Sequence, residues 1–203
     1  GIGIGGHEDE IRAGFKGQHD QAIPLLRRGL DQATGDSAER YELLLHLGLA
    51  LTPRDPSGAV ACYRQALDIP LDARISLGAR LNLAARLMEQ GELDEAIALT
   101  QTATQRAPEV ALGWYNLGLM LRRRGDIAAA LEAYSRAVEL DPNNAACHQN
   151  RAVALLLGGD IEGSRAAFRT AITLLETQGR PVDAQALRIK AQGLVKLDME
   201  PIA

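Results

Sequence analysis

The sequence predicts an all-α fold, a solenoid of stacked helical hairpins, and three observations carry that prediction. The first is a step of 34 residues. Gly91, Gly125 and Gly159 follow it, as do Ala96, Ala130 and Ser164, then Ala103, Ala137 and Ala171, then Asn82, Asn116 and Asn150, with Pro108 and Pro142. A fixed period of this length marks small helical units that stack on one another. The second is composition: 46% of the 203 residues are hydrophobic but only 3% are aromatic. Ala and Leu, good helix formers, supply most of that content, and the residues that favour strands are few. The third is that apolar residues within a unit recur at three- and four-residue intervals, which places them on one helix face.

Residues 1–7 read as a flexible N-terminus. Residues 8–35 form a degenerate first unit in which Gly17, Ala22, Leu26, Gly29 and Leu30 mark a turn and a second helix. Ile11 and Phe15 are the only sizeable apolar residues ahead of that turn, and Pro24 falls early enough in the helix for a missing N–H to be tolerated. Residues 37–73 form an irregular second unit. Its first helix, Tyr41 to Leu51, carries Leu47, Gly48 and Leu51; its second carries Ala59, Tyr63 and Ala66. The turn Thr52-Pro53-Arg54-Asp55-Pro56-Ser57 is one residue short and lacks Gly, and extra residues after Pro70 restore the step. Residues 74–110 repeat the pattern with Leu83, Ala84, Leu87, Gly91, Ala96, Ala103 and Pro108.

Residues 111–144 are the most regular unit. Trp114, Leu117, Gly118 and Leu121 share a face, and Gly125 ends the helix as a left-handed cap. Asp126 stands ahead of the second helix, where its charge suits the N-terminal dipole end. Ala130, Leu131, Tyr134, Ala137 and Val138 share the next face, and Asp141-Pro142-Asn143-Asn144 stops it. Residues 145–178 follow with Ala152, Leu155, Gly159, Ser164, Phe168 and Ala171. Pro181 starts a final helix, 181–198, whose stripe of Leu187, Ala191, Leu194 and Val195 predicts a cap over the last unit's core side.

Trp114, Leu117, Gly118, Leu121, Gly125, Ala130, Tyr134, Ala137 and Pro142 resemble the tetratricopeptide repeat pattern position for position. The neighbours depart from it with Arg80 in place of Trp114, Thr100 in place of Tyr134, Arg151 in place of Leu117 and Glu176 in place of the closing Pro. The resemblance implies a right-handed α-solenoid whose first helices line a concave groove, chiefly through the second, fifth, sixth, ninth, twelfth and thirteenth positions of each repeat. The fifth positions here are Leu45, Leu81, Tyr115 and Gln149; the sixth are His46, Asn82, Asn116 and Asn150; the ninth are Leu49, Ala85, Leu119 and Val153. The sixth positions make a polar row whose amides offer both donor and acceptor. The others make an apolar strip of the kind that marks interaction sites. Met88, Glu89, Arg122, Arg123, Leu156 and Leu157 stand at its far edge. The two arginines suit an acidic group on a ligand, and equally suit plain solvation. The carboxylate clamp of co-chaperone tetratricopeptide domains is not matched, because Lys is missing from the fifth positions and Asn from the ninth. Asn150-Arg151-Ala152 resembles those proteins only locally.

Chemistry of other kinds finds little support. Net charge is −4, and Arg122-Arg123-Arg124 is the one basic run, too short for a nucleic-acid surface. The longest apolar stretch, residues 43–51, is too short for membrane insertion. Cys62 and Cys147 require neither a disulfide framework nor a metal, which suits a reducing cytoplasm, and the excess of Arg over Lys is associated with GC-rich bacterial coding. Gly1, Gly3 and Gly6 spell G-x-G-x-x-G but lack the strand that a dinucleotide site needs. His7, Glu8, Asp9, Glu10, His19 and Asp20 match no metal-ligand spacing. Cys147 and His148 are adjacent, so on a helix they point about 100° apart, a poor nucleophile–base pair. The expectation is a non-enzymatic scaffold without metal or cofactor that binds a peptide or helix of a partner protein in its groove and assists assembly of a complex. A regulatory region of a larger enzyme, such as a glycosyl- or methyltransferase, is the alternative suggested by a first residue other than Met. Self-association into a homo-oligomer is the third, suggested by the weak first unit.

Overall fold

A computed structural model describes residues 21–33, 37–72 and 74–195. All regular structure among them is helical: α1 over 21–32, α2 Ser37–Leu51, α3 Pro56–Leu67, α4 Leu77–Gln90, α5 Leu93–Arg106, α6 Ala111–Arg124, α7 Ile127–Leu140, α8 Ala145–Leu157, α9 Ile161–Thr177 and α10 Pro181–Val195. None of them is long and apolar enough to cross a membrane. The chain divides into two compact units, residues 1–92 and 93–203.

In the first unit α2 packs on α3 and α3 on α4. The α2–α3 contact is close because Gly48 carries no side chain: a Cβ there would lie 2.5 Å from the ring of Tyr63. The turn between these helices works without glycine. Asp55 accepts a hydrogen bond from the Gly58 N–H at 2.8 Å, and Pro56 occupies the first helical turn, where its missing N–H costs nothing. Helix α2 begins at Ser37, a turn earlier than Tyr41, with Glu39 at its positive end. Tyr41 instead ties α2 to α4, its hydroxyl accepting from the Ala79 N–H at 3.2 Å.

The second unit builds α6 on α7 and α8 on α9 by the same rule, with α5 on α6, α7 on α8 and α10 on α9. A Cβ on Gly118 would lie 2.6 Å from the Tyr134 ring. In the next hairpin Ser164 donates to the Ala152 carbonyl at 2.8 Å with both residues fully buried. Gly125 and Gly159 take φ of 101° and 87°, and the following N–H groups of Asp126 and Asp160 bond back to Leu121 O and Leu155 O, each at 2.9 Å. This closes the helix with its orphan carbonyls satisfied. Gly179, off the 34-residue step, does the same for α9: φ is 71° and the Arg180 N–H reaches Leu175 O at 2.8 Å. With Glu176 where Pro142 stops α7, nothing ends α9 early, and it runs 17 residues.

The final helix buries Ala184, Leu187, Ala191 and Val195 in one core with Leu155, Phe168, Ile172 and Leu175. Leu194, expected in that stripe, is 46% exposed, and Ala184 takes part instead. Its outer face is not wholly polar, since Val182 and Ile189 are also exposed. Arg188 pairs with Glu176 at 2.6 Å, and the Arg165 Nε donates to the Val195 carbonyl at 2.7 Å, satisfying a C-terminal carbonyl of α10.

Candidate functional site

The expected groove residues of the first unit lie on α2 and α4. His46 and Leu49 are exposed and Leu45 is half-buried. With Ala22, Leu25, Leu26 and Ala50 the first two line a largely apolar cavity of about 490 Å3 between α1 and α2. The His46 Nε2 stands 3.6 Å from Glu42 one turn earlier. Asn82 and Ala85 are half-buried. Leu81 is only 6% exposed, so it belongs to the packing rather than to a groove floor. The Asn82 amide donates to Gly78 O at 2.9 Å within its own helix.

The second unit brings α6 and α8 side by side. Tyr115, Asn116, Leu119 and Arg122 of α6 and Gln149, Asn150 and Val153 of α8 are half-buried, and Arg123 is exposed. The Asn150 Nδ2 donates twice, to the Tyr115 hydroxyl at 3.1 Å and to Ala146 O at 2.9 Å. Both amide hydrogens are thereby used, and the amide keeps only its Oδ1 acceptor for a ligand. The donor-and-acceptor reading of the polar row is corrected here at Asn150. The Tyr115 ring lies 6.3 Å from Tyr134 in a tilted arrangement. Burial raises the pKa of both phenols, and Arg122 opposes that rise in each. The Arg122 Nε and the Tyr134 hydroxyl are both buried, and the Arg122 guanidinium stands beside the phenol.

A second cavity, about 300 Å3, opens where α8 meets α9 and α10. Ala145, Ala146 and Gln149 face Leu175, Leu187 and Lys190 across it. Lys190, off the apolar stripe of the final helix, joins the face shared with α8, and the turn-by-turn spacing of Asp183, Ala186 and Lys190 is the sequence signal for that face.

His148 also has a structural explanation. Its Nε2 lies 2.9 Å from Pro142 O, just as the Trp114 Nε1 donates to Pro108 O at 2.9 Å. The imidazole fills the tryptophan position of the next repeat and makes the same bond. Cys147 is 1% exposed, and burial pushes its thiol up to about 11, far from a reactive thiolate. Arg151 donates to the Ser135 hydroxyl at 3.3 Å. Gly1, Gly3, Gly6, His7, Glu8, Asp9, Glu10, His19 and Asp20 lie outside the described residues, among which no group of His, Cys, Asp and Glu could hold a metal ion.

Comparison with known proteins follows the same lines. Two family models, each described as tetratricopeptide repeat, match residues 81–145 and 133–186, together more than half of the chain. A search of curated proteins by sequence found no match. Among solved structures, MamA 41-end from Desulfovibrio magneticus RS-1 superposes with a TM-score of 0.70 at 22% identity, covering 84% of this chain and 93% of that one. A second MamA crystal structure gives 0.70 at 23% identity over 89% and 99%. YrrB, described as a TPR protein with an unusual peptide-binding site, gives 0.62 at 17% identity over 84% of each chain. At these identities the likeness is one of fold.

Proposed function

The chain belongs to the tetratricopeptide repeat family, and from that premise we propose that it is a non-enzymatic protein-interaction scaffold that binds a peptide or helix of a partner along the face of its first helices. The observation that carries the reading is the Tyr115–Asn150 pair. It joins neighbouring first helices and leaves one oriented carbonyl acceptor beside Leu119 and Val153. A backbone N–H of a bound segment satisfies that acceptor, while its apolar side chains cover the strip. YrrB, of similar fold, has a peptide-binding site by its own description. Assembly of a multi-subunit complex is the role this binding would serve.

The test uses peptides selected on the chain from a random library. Asn116→Ala combined with Val153→Glu should weaken the selected peptides by about tenfold or more, with the circular dichroism melting curve preserved. Undiminished affinity in the folded variant would place the contact elsewhere and sink the reading.

A further inference from the structure

We infer that the face formed by α6, α8 and α10 takes an acidic, amphipathic segment of a partner protein, with carboxylates on Arg122, Arg123 and Lys190 and apolar side chains over Leu119 and Val153. The inference rests on the scaffold reading above and adds the chemistry of the partner.

Charge is divided unevenly within the second unit. Helices α6 and α8 contain no Asp or Glu but four arginines, although the whole chain carries −4. Of the four carboxylates on α7 and α9, three are held by neighbouring arginines, Glu139 by Arg136 at 2.8 Å, Glu162 by Arg165 at 2.7 Å and Glu176 by Arg188 at 2.6 Å, and the exposed Glu132 is not. On α10, Asp183 is held by Arg180 at 2.7 Å. Arg124, third of the basic run, is matched by Asp94 and Asp126. Arg122, Arg123 and Lys190 have no carboxylate partner among the described residues. They stand at the C-terminal end of α6 and on the cavity at the N-terminal end of α8. Positive charge without an internal counterion favours an anionic partner and repels a basic one.

Two further features favour a peptide over other anions. Leu119 stands within a turn of Arg122 and Arg123, and Val153 shares its half-buried exposure on α8, apolar surface which a carboxylate-bearing segment with aliphatic side chains matches and a phosphate backbone does not. The Asn150 Nδ2 is committed to Tyr115 and Ala146, which leaves its Oδ1 to accept, and a peptide N–H is a matching donor. Arg122 is also restrained before any ligand arrives, because its Nε is buried beside Tyr134. Less side-chain freedom is then lost on binding.

The experiment displays random peptides of about 12 residues, long enough to cross neighbouring first helices, and selects them on the full chain and on an Arg122→Gln/Arg123→Gln variant. The wild-type pool should be enriched in Asp and Glu among aliphatic residues, and the variant pool should lose the acidic excess. Individual acidic peptides should bind the variant about tenfold more weakly. Their Glu→Gln versions should lose as much on the wild type and little more on the variant. A pool without acidic excess, or Gln versions that bind the wild type equally well, would overturn the inference. If such peptides still lose affinity with Asn116→Ala/Val153→Glu, the scaffold reading survives that failure; peptides indifferent to every one of these substitutions sink both. Binding of a single-stranded DNA oligonucleotide that the arginine variant abolishes would assign the patch to nucleic acid and also overturn the inference.

Discussion

Gly118 is small because of what stands opposite it, whereas Gly125 is glycine because of its own backbone. A Cβ on Gly118 would fall 2.6 Å from two ring carbons of Tyr134, a fully buried side chain with nowhere to move. Gly125 has φ 101° and no atom within 4 Å of a Cβ. Gly118→Ala should therefore destabilise by about 1–3 kcal/mol through overpacking, and Gly125→Ala by about 1 kcal/mol through backbone strain. Urea unfolding separates the two causes. Tyr134→Leu should recover part of the Gly118→Ala loss and none of the Gly125→Ala loss; equal behaviour of the two would refute the contact. The 34-residue step shows both glycines to be fixed, yet it cannot tell a crowded position from a left-handed one. His148 was harder still to read. Nothing in a Cys-His dipeptide announces an imidazole in a tryptophan position until the ring is found 2.9 Å from the carbonyl six residues back.

Helix boundaries carry a second contrast, between aspartates 34 residues apart. Asp160 accepts from the Gly163 N–H at 2.8 Å, and that glycine leaves room for it, since a Cβ there would lie 2.2 Å from the carboxylate. Asp126 precedes α7 at the same point in its repeat but makes no side-chain cap; it turns to Arg124. Asp160→Ala should cost about 1 kcal/mol, the usual worth of an N-cap, while Asp126→Ala loses an exposed ion pair and should cost about half that or less. Thermal unfolding of the two single variants checks the order, and a reversed order would refute the capping assignment. Element positions were legible because Gly, Pro and the apolar step punctuate the chain. The length of α9 was not, because it depends on the absence of a stop at Glu176. The groove was legible only in part. Periodicity names the residues of a face but not their burial, so Leu81 reads like Leu49 in the sequence and packs quite differently.

Across the whole molecule the hydroxyl and thiol groups share one electrostatic fate. All four tyrosines, Tyr41, Tyr63, Tyr115 and Tyr134, have pKa values raised above 10.0, and both cysteines are raised above 9.0, burial being the largest cause in every case. Stacked helices with few aromatics place each of these groups against a neighbouring helix, where the ionised form loses its water. Below pH 9 the folded and unfolded chains both hold these protons, and the groups leave stability independent of pH. Above it the unfolded thiols ionise first while the folded ones do not, so the unfolded chain binds fewer protons and stability falls as pH rises. The phenols steepen the fall above pH 10. Cys147, whose thiol lies near 11, should alone account for a loss on the order of 2 kcal/mol by that pH. Unfolding free energies measured in urea from pH 8 upward should show a plateau and then this decline. In a Cys62→Ala/Cys147→Ala variant the decline should begin about one pH unit later, where the tyrosines take over. A wild-type profile that stays level through pH 10.5 would mean that the buried groups ionise as readily in the stack as in water.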